Sequence, residues 1–508
     1  MTVLKGNLDT NDFYEIVYKN NSISVDNSIL KKVEKCFNFL NKLSDKHIIY
    51  GVNTGFGPMA EYKIKNSEQI QLQYNLIRSH ATGTGNIIKP IFVKAAMLAR
   101  LNALLLGYSG VHISTIELII KLINKNIIPV IYQHGGVGAS GDLVQLAHLA
   151  LVLIGEGEVF YKGKKELTKK VFKAENIKPI PIKIREGIAL MNGTSVMNGI
   201  GIINLINARK LLHRMVTCSS AINEIVRSSN QHFSIKLNQT KQHIGQQKIA
   251  DLMCSHLKDS CLIKNGNNIL NDSDKEKNYR FDEKIQECYS LRCVPQILGP
   301  ILDTINNSED VLIREVNSAD DNPIIDPDIK KVYHGGNFHG DYISLEMDKL
   351  KIVITKMSML AERQLNYLLN PKLNNVLSPF VNLGKLGLNF GMQGAQFTAT
   401  STTAENQMLS NPMYVHSIPS NNDNQDIVSM GTNASEITNK VIENAFEIVA
   451  IEMIAITQAI KYLNIEDKVS SKTKKMYDEI SRIVPLSQED ITMYPYINAV
   501  IKFISNNE

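Results

Sequence analysis

The stretch Gly135-Gly136-Val137-Gly138-Ala139-Ser140-Gly141-Asp142 is open to three readings. Gly136 to Gly141 satisfies G-x-G-x-x-G, the turn that cradles a dinucleotide pyrophosphate, and Glu156 falls twenty residues after Gly136, where a ribose-binding acid would stand. A glycine-rich turn with no chemistry is the second reading. The third is covalent. Gly141 has no Cβ, so its amide nitrogen can be brought against the carbonyl carbon of Ala139. Ring closure with loss of two waters would strip Ser140 of its hydroxyl and leave an exocyclic methylidene, a strong electrophile that no ordinary side chain provides.

The readings demand different supporting elements. A dinucleotide turn needs a parallel sheet to present it. The apolar run IIPVIY precedes the turn and the helical LVQLAHLALVLIG follows, but no succession of βαβ units is visible around them. Asp142 would also face the pyrophosphate at the helix N-terminus, where a cofactor wants N–H donors. Elsewhere the periodicity is helical: about Ser67 to Ser79, Pro90 to Leu106, and Ser114 to Lys125, with short β pieces near Ile48 to Val52 and Val159 to Lys162. From Asp341 to Leu369, residues Leu350, Ile354, Met357, Ala361, Leu365 and Leu368 share one face, and Asn370-Pro371 ends the run. In Ala434 to Leu463, Ile442, Phe446, Val449, Met453, Ile456 and Ile460 make one apolar face and Ile437, Val441, Ala445, Ile448, Ile451, Ala455 and Ala459 the next. Such a helix is buried on both faces, in the middle of a bundle or at a subunit interface.

Composition removes other classes. At 508 residues and 44% hydrophobic, the chain has ample core material, and a net charge of +5 with scattered basic residues does not indicate nucleic acid. Six cysteines without C-x-x-C read as reduced thiols of a cytoplasmic protein. MTVLKGNLDTND lacks the apolar core of a signal peptide, and the uncharged run Gly187 to Ala208 is broken by Asn and Gly, so no membrane span is expected. Lys264 to Tyr279, polar and rich in Asn and Asp, reads as a mobile loop. His334 and His339 have no carboxylate-rich companions, so no metal is expected.

VGASGDL resembles the motif of the aromatic amino-acid ammonia-lyases, the histidine, phenylalanine and tyrosine enzymes, which make 4-methylideneimidazol-5-one (MIO) from Ala-Ser-Gly. Six more segments resemble that family and occur in its order: YGVNTGFGPMA (Tyr50 to Ala60), LMNGTSVM (Leu190 to Met197), YSLRCVPQILGP (Tyr289 to Pro300), DDNPII (Asp320 to Ile325), GGNFHGD (Gly335 to Asp341) and NQDIVSMG (Asn424 to Gly431). The chemistry accounts for the need. An amine is a poor leaving group, and no ordinary side chain activates it, so an electrophilic group must carry the hard step.

The resemblance implies a mainly α fold: a smaller mixed N-terminal domain, 1–200, bearing the MIO of Ala139, Ser140 and Gly141, and a long-helix bundle, 201–508. It implies Tyr50 as the base, acting as phenolate and therefore needing a pKa lowered from about 10. It implies Arg292 as the carboxylate-binding residue, a role that suits a two-pronged guanidinium, with Tyr289 one helical turn earlier. Asn192 would stand near the MIO carbonyl and Phe338 beside the ring. Gln286, Glu405, Asn424 and Gln425 would handle the amine and polar ends of the substrate. The family forms homotetramers whose active sites combine residues of three chains.

Ser79 and His80 occupy the family's substrate-selecting pair. Tyrosine enzymes typically carry His-Leu there, phenylalanine enzymes Phe-Leu and histidine enzymes Ser-His. Two other segments point away from histidine: NQDIVSMG is one residue shorter than the histidine enzymes' NQEDHVSMG, and Val144-Gln145 replaces their Ala-Pro. The chain resembles a bacterial group of tyrosine enzymes that keep Ser-His. L-Tyrosine, giving p-coumarate and ammonia, is the expected small-molecule substrate, L-histidine the alternative, and an aminomutase a related outcome.

Overall fold

Helix boundaries follow capping chemistry. Pro90 occupies the first turn of the helix Pro90–Leu105, where its missing N–H leaves nothing unpaired. The His112 side chain accepts the Ser114 amide to start Ile113–Asn124. The computed structural model describes residues 1–266 and 285–506. Among these the chain is mainly α, with long helices Ser195–Ile225, Val294–Val316, Asp341–Leu369 and Gly431–Leu463, and sheets of only two or three strands. The loop expected over Lys264 to Tyr279 lies, from residue 267 onward, outside the described residues.

By its internal contacts the chain divides into two units, one of Met1–Ile206, Asn307–Lys349 and Pro412–Asn439, the other of Asn207–Asn306, Leu350–Asn411 and Lys440–Glu508. In the second unit the apolar stripes make a helical core. Leu211, Met215 and Ile222 are buried, as are Ile354, Met357, Ala361 and Leu365, and Ala445, Ile448, Val449 and Ile456. Polar ties register the helices: Gln364 Nε2 donates to Ser219 Oγ at 3.0 Å, and Asn406 Nδ2 donates to Ser358 Oγ at 3.0 Å. Apart from the half-buried Ile437, both apolar faces of the helix Gly431–Leu463 are buried within this single chain, which is the bundle-interior alternative. No helix among the described residues is long and apolar enough to cross a membrane.

In the first unit the helices Gln69–His80, Leu143–Leu153 and Glu186–Met191 pack on one another. The strand Thr84–Ile87 pairs antiparallel with Tyr132–His134, which runs directly into Gly135 and the Ala-Ser-Gly turn. The strand Glu158–Tyr161 forms where β character is expected. The strand expected over Ile48 to Val52 does not form. Asn53 folds back instead, its Oδ1 accepting the Ile49 amide at 2.8 Å and its Nδ2 donating to His47 O at 2.8 Å. An asparagine side chain that satisfies nearby backbone groups favours a turn over a ladder, and that turn carries Tyr50.

Candidate active site

The Ala-Ser-Gly turn is held by residues distant in sequence. Gly141 has φ +68° and pairs with Gly193 in a parallel bridge, and a Cβ on Gly141 would overlap the Gly193 carbonyl. The Asp142 amide donates to Gly193 O at 2.8 Å. The Asp142 carboxylate is buried and accepts the Val196 and Met197 amides at 2.7 and 3.0 Å, so it caps the helix Ser195–Ile225 and also takes the Thr432 hydroxyl. Burial pushes its pKa up to about 6 against the pull of those donors. The buried carboxylate thus serves a different helix from the one that follows the glycine turn, and the adjoining sheet is antiparallel, not the parallel sheet a dinucleotide turn needs. Glu156 is half of an ion pair with Arg78 at 2.7 Å, not a ribose ligand.

Two amide side chains converge on Ser140. Asn192 Nδ2 donates to Ser140 O at 3.1 Å, and Gln425 Nε2 lies 2.9 Å from Ser140 Oγ. Asn192 is 3% exposed, and its Oδ1 is buried with no hydrogen-bond partner. It ends the helix Glu186–Met191, and the carbonyl of its own peptide accepts from Arg100 Nη1 at 3.0 Å. Asp320 pairs with Arg100 at 3.1 Å and accepts the Thr194 amide at 2.8 Å. The Asn192-Gly193-Thr194 turn is therefore fixed from below by an ion pair absent from the expected site residues.

Tyr50 is placed by Gln73, which is fully buried: its Nε2 donates to Gly51 O at 3.0 Å and its Oε1 accepts the Ile188 amide at 3.3 Å. One side chain thus registers the Tyr50 loop against the helix that ends in Asn192. The Tyr50 hydroxyl oxygen accepts the Gly57 amide at 2.9 Å, and its ring meets Phe56 edge-on at 6.0 Å. Burial raises the Tyr50 pKa, with the Gly57 N–H the opposing influence. This corrects the expectation of a lowered value: within one chain, desolvation of the phenolate outweighs its single N–H donor.

His80 closes the helix Gln69–His80, with Ser79 beside it on the exposed side. His80 Nδ1 lies 3.0 Å from Leu76 O and 3.0 Å from Ser79 Oγ. A carbonyl oxygen only accepts, so Nδ1 carries a proton, and in the neutral ring Nε2 then presents a lone pair. The backbone beyond is anchored by His148, whose Nε2 accepts the Gly83 amide at 3.1 Å.

Phe338 is half-buried in the loop after the strand Lys331–Tyr333, and Asn424 is exposed in a loop whose Asn421, Asn422 and Asp423 have positive φ. In the second unit, Tyr289 and Arg292 lie at the two ends of the one-turn helix Tyr289–Arg292. The Arg292 guanidinium sits 4.8 Å over the Tyr289 ring. Arg292 Nε is buried without a hydrogen-bond partner. Gln286 is exposed nearby in sequence. Glu405, on the helix Gln393–Leu409, accepts from Asn444 Nδ2 at 2.7 Å and lies 3.5 Å from Lys440 Nζ.

The residues about Ser140 suit a cyclised Ala139-Ser140-Gly141. Gly141 has no room for a side chain, two amides address Ser140, and the Asn192 amide oxygen has no other use.

Comparison with known proteins shows the family that the sequence motifs resemble. The family described as aromatic amino acid lyase matches residues 8–482. A tyrosine 2,3-aminomutase of Chondromyces crocatus is 37% identical, with 100% of this chain and 96% of that protein covered. A histidine ammonia-lyase of Staphylococcus saprophyticus is also 37% identical, covering 98% of this chain and 97% of that one. The crystal structure of a tyrosine aminomutase from Streptomyces globisporus superposes with a TM-score of 0.96 at 32% identity, covering 99% and 96% of the two chains. The chain belongs to the aromatic amino acid lyase family.

Proposed function

We propose that this chain eliminates ammonia from L-tyrosine, giving p-coumarate, with an MIO formed from Ala139, Ser140 and Gly141. The observation that carries the reading is the convergence of Asn192 Nδ2 and Gln425 Nε2 on Ser140, above a turn that admits only glycine at position 141. When present, the ring supplies an electrophilic methylidene carbon, the activation of the amine that the chain's own side chains lack. Arg292 binds the substrate carboxylate through two N–H donors, with Tyr289 stacked beneath it to hold the guanidinium plane. Tyr50 takes the β-proton on its hydroxyl oxygen, where the Gly57 N–H steadies the anion. Asn192 donates toward developing negative charge at the Ser140 carbonyl. Phe338 lies against the substrate, and Gln286, Glu405, Asn424 and Gln425 serve its amine and polar ends. Three chains of a cytoplasmic homotetramer bring these groups together.

The His80 lone pair favours a ring that donates. A phenol does and a phenyl group does not, so phenylalanine is disfavoured. An imidazole N–H also donates, which keeps L-histidine as the alternative, and the 37% identical histidine ammonia-lyase supports it. Relatives named tyrosine 2,3-aminomutase favour tyrosine and raise a second outcome, return of ammonia to the β-carbon. Incubation with L-tyrosine, L-histidine and L-phenylalanine separately, with every product identified, distinguishes all of these. Release of urocanate without p-coumarate or β-tyrosine would overturn the choice of tyrosine.

A further inference from the structure

We propose that Arg100 and Asp320 form a clamp that presses Gly193 onto Gly141 and so positions the Ala139-Ser140-Gly141 backbone for ring closure. This rests on the cyclisation reading above.

The clamp grips both peptides that flank Gly193. Arg100 Nη1 donates to the carbonyl of Asn192, the residue before it, at 3.0 Å. Asp320 Oδ2 accepts the amide of Thr194, the residue after it, at 2.8 Å. The two side chains are joined to each other at 3.1 Å. Gly193 has φ +151°, and a Cβ there would overlap Arg100 Nη1 and stand 2.6 Å from Asp320 Oδ2, so the ion pair packs directly on its α-carbon. Through its carbonyl, Gly193 meets Gly141 and Asp142. Gly193 is held between the pair and the turn that must close.

Stability alone is a weak reason for such a pair. Arg100 is 0% exposed, and its Nε and Nη2 have no hydrogen-bond partner. Buried ion pairs often contribute no more than apolar residues of the same volume, because desolvation offsets their attraction. What this pair adds is direction: its charge-assisted hydrogen bonds to the Asn192 carbonyl and from the Thr194 amide fix distance and angle where an alkyl side chain would slide. Ring closure needs that. An amide nitrogen is a poor nucleophile while its lone pair is delocalised, so the reaction depends on a near-attack geometry held in advance.

The covalent balance is simple. A bond forms from Gly141 N to the Ala139 carbonyl carbon. The Ala139 oxygen leaves as water with the amide protons of Gly141 and Ser140, leaving a double bond between the Ala139 carbon and Ser140 N. The Ser140 hydroxyl leaves as a second water with the Ser140 α-proton, forming the methylidene. No oxidant or reductant is involved.

The test follows intact mass with time in freshly produced full-length protein. The wild-type chain should become lighter by two waters, roughly 36 Da. Arg100→Met should slow this loss about 10- to 100-fold, the scale of a misplaced reacting group. The comparison is made at a temperature where circular dichroism shows every variant fully folded. Arg100→Lys restores a cation and should recover part of the rate. A merely structural pair would give equal rates among fully folded variants. Should Arg100→Met fail to fold, Asp320→Asn keeps the size and the Thr194 acceptor, and slower closure is expected there too. Folded variants that lose two waters as fast as wild type would overturn the clamp alone. A wild-type chain that never loses them would overturn the cyclisation reading and the clamp with it.

Discussion

The Thr194 hydroxyl stands 2.6 Å from Glu315 Oε1, and the same oxygen is 3.2 Å from Asp320 Oδ2. A hydroxyl has one proton, so it can donate to only one of two carboxyl groups. Asp320 already faces the Arg100 guanidinium and takes the Thr194 amide. The Thr194 proton therefore goes to Glu315 Oε1, and below about pH 7 Glu315 keeps a proton of its own. Burial pushes Glu315 up to about 7, the charges of Asp320 and Asp142 act the same way, and only the Thr194 hydroxyl opposes them.

That proton should appear in the pH dependence of stability. Between pH 4.5, the ordinary glutamate value, and about 7, the folded chain keeps a proton that the unfolded chain has released. Stability should therefore fall as pH rises through this window and level off above it. Glu315→Gln, which cannot ionise, should make the fall shallower; Asp142, at about 6, keeps the remainder. Thermal midpoints at pH 5, 6, 7 and 8 measure it, and parallel curves for wild type and variant would show that Glu315 does not hold the proton.

Tyr50→Phe keeps the ring against Phe56 and deletes only the hydroxyl. The expected loss is about 10²- to 10⁴-fold in kcat, with folding unaffected. Because the Tyr50 pKa is raised, the phenolate fraction still grows above pH 10. Wild-type kcat/KM should climb into that range, and the variant should lack the climb. A Tyr50→Phe enzyme with near-normal kcat would assign the base elsewhere.

His80→Phe replaces the Nε2 lone pair with an apolar edge. Tyrosine turnover should drop and phenylalanine turnover should rise, narrowing a discrimination that such sites can bring to about 10⁴–10⁵. Competition between the two substrates, read as p-coumarate against cinnamate, gives the ratio directly. An unaltered ratio would remove His80 from the ring pocket.

Arg292→Gln removes the guanidinium but keeps an amide donor. A charged hydrogen bond is worth about 1.5–3 kcal/mol, so KM should rise about 10- to 100-fold, with a smaller effect on kcat. Steady-state kinetics at saturating substrate separates the two. An unchanged KM would mean that another residue binds the carboxylate.

The Ala-Ser-Gly turn and the family it points to are legible because its residues are contiguous and its companion segments are each a few residues long. The long helices were legible because their apolar spacing repeats over many turns. The glycine-rich loop singles out Tyr50 as a candidate, yet the strand expected there gives way to a turn that the Asn53 side chain decides. Arg100 was not found. It sits in the apolar run PIFVKAAMLARLNALL, where a cation such as Lys94 or Arg100 reads as a side chain reaching for water, and its partner Asp320 is 220 residues away in sequence. Nothing in periodicity announces that Asn307–Lys349 and Pro412–Asn439 rejoin the first unit, because pairing over such separations is set by tertiary packing.

The glycine turn depends on parts of the chain made long after it. Gly138 O accepts the Gly340 amide at 3.1 Å and the Ser429 hydroxyl at 3.0 Å, Val137 O accepts the Met430 amide at 2.9 Å, and Thr432 bonds Asp142. During synthesis, residues 137–142 leave the ribosome nearly 300 residues before the last of these partners exists. If ring closure needs the turn held in this geometry, it follows translation past Thr432 and docking of the late segments. Loss of two waters would then serve as a timestamp of tertiary assembly, and a truncated or stalled chain would keep an unreacted serine.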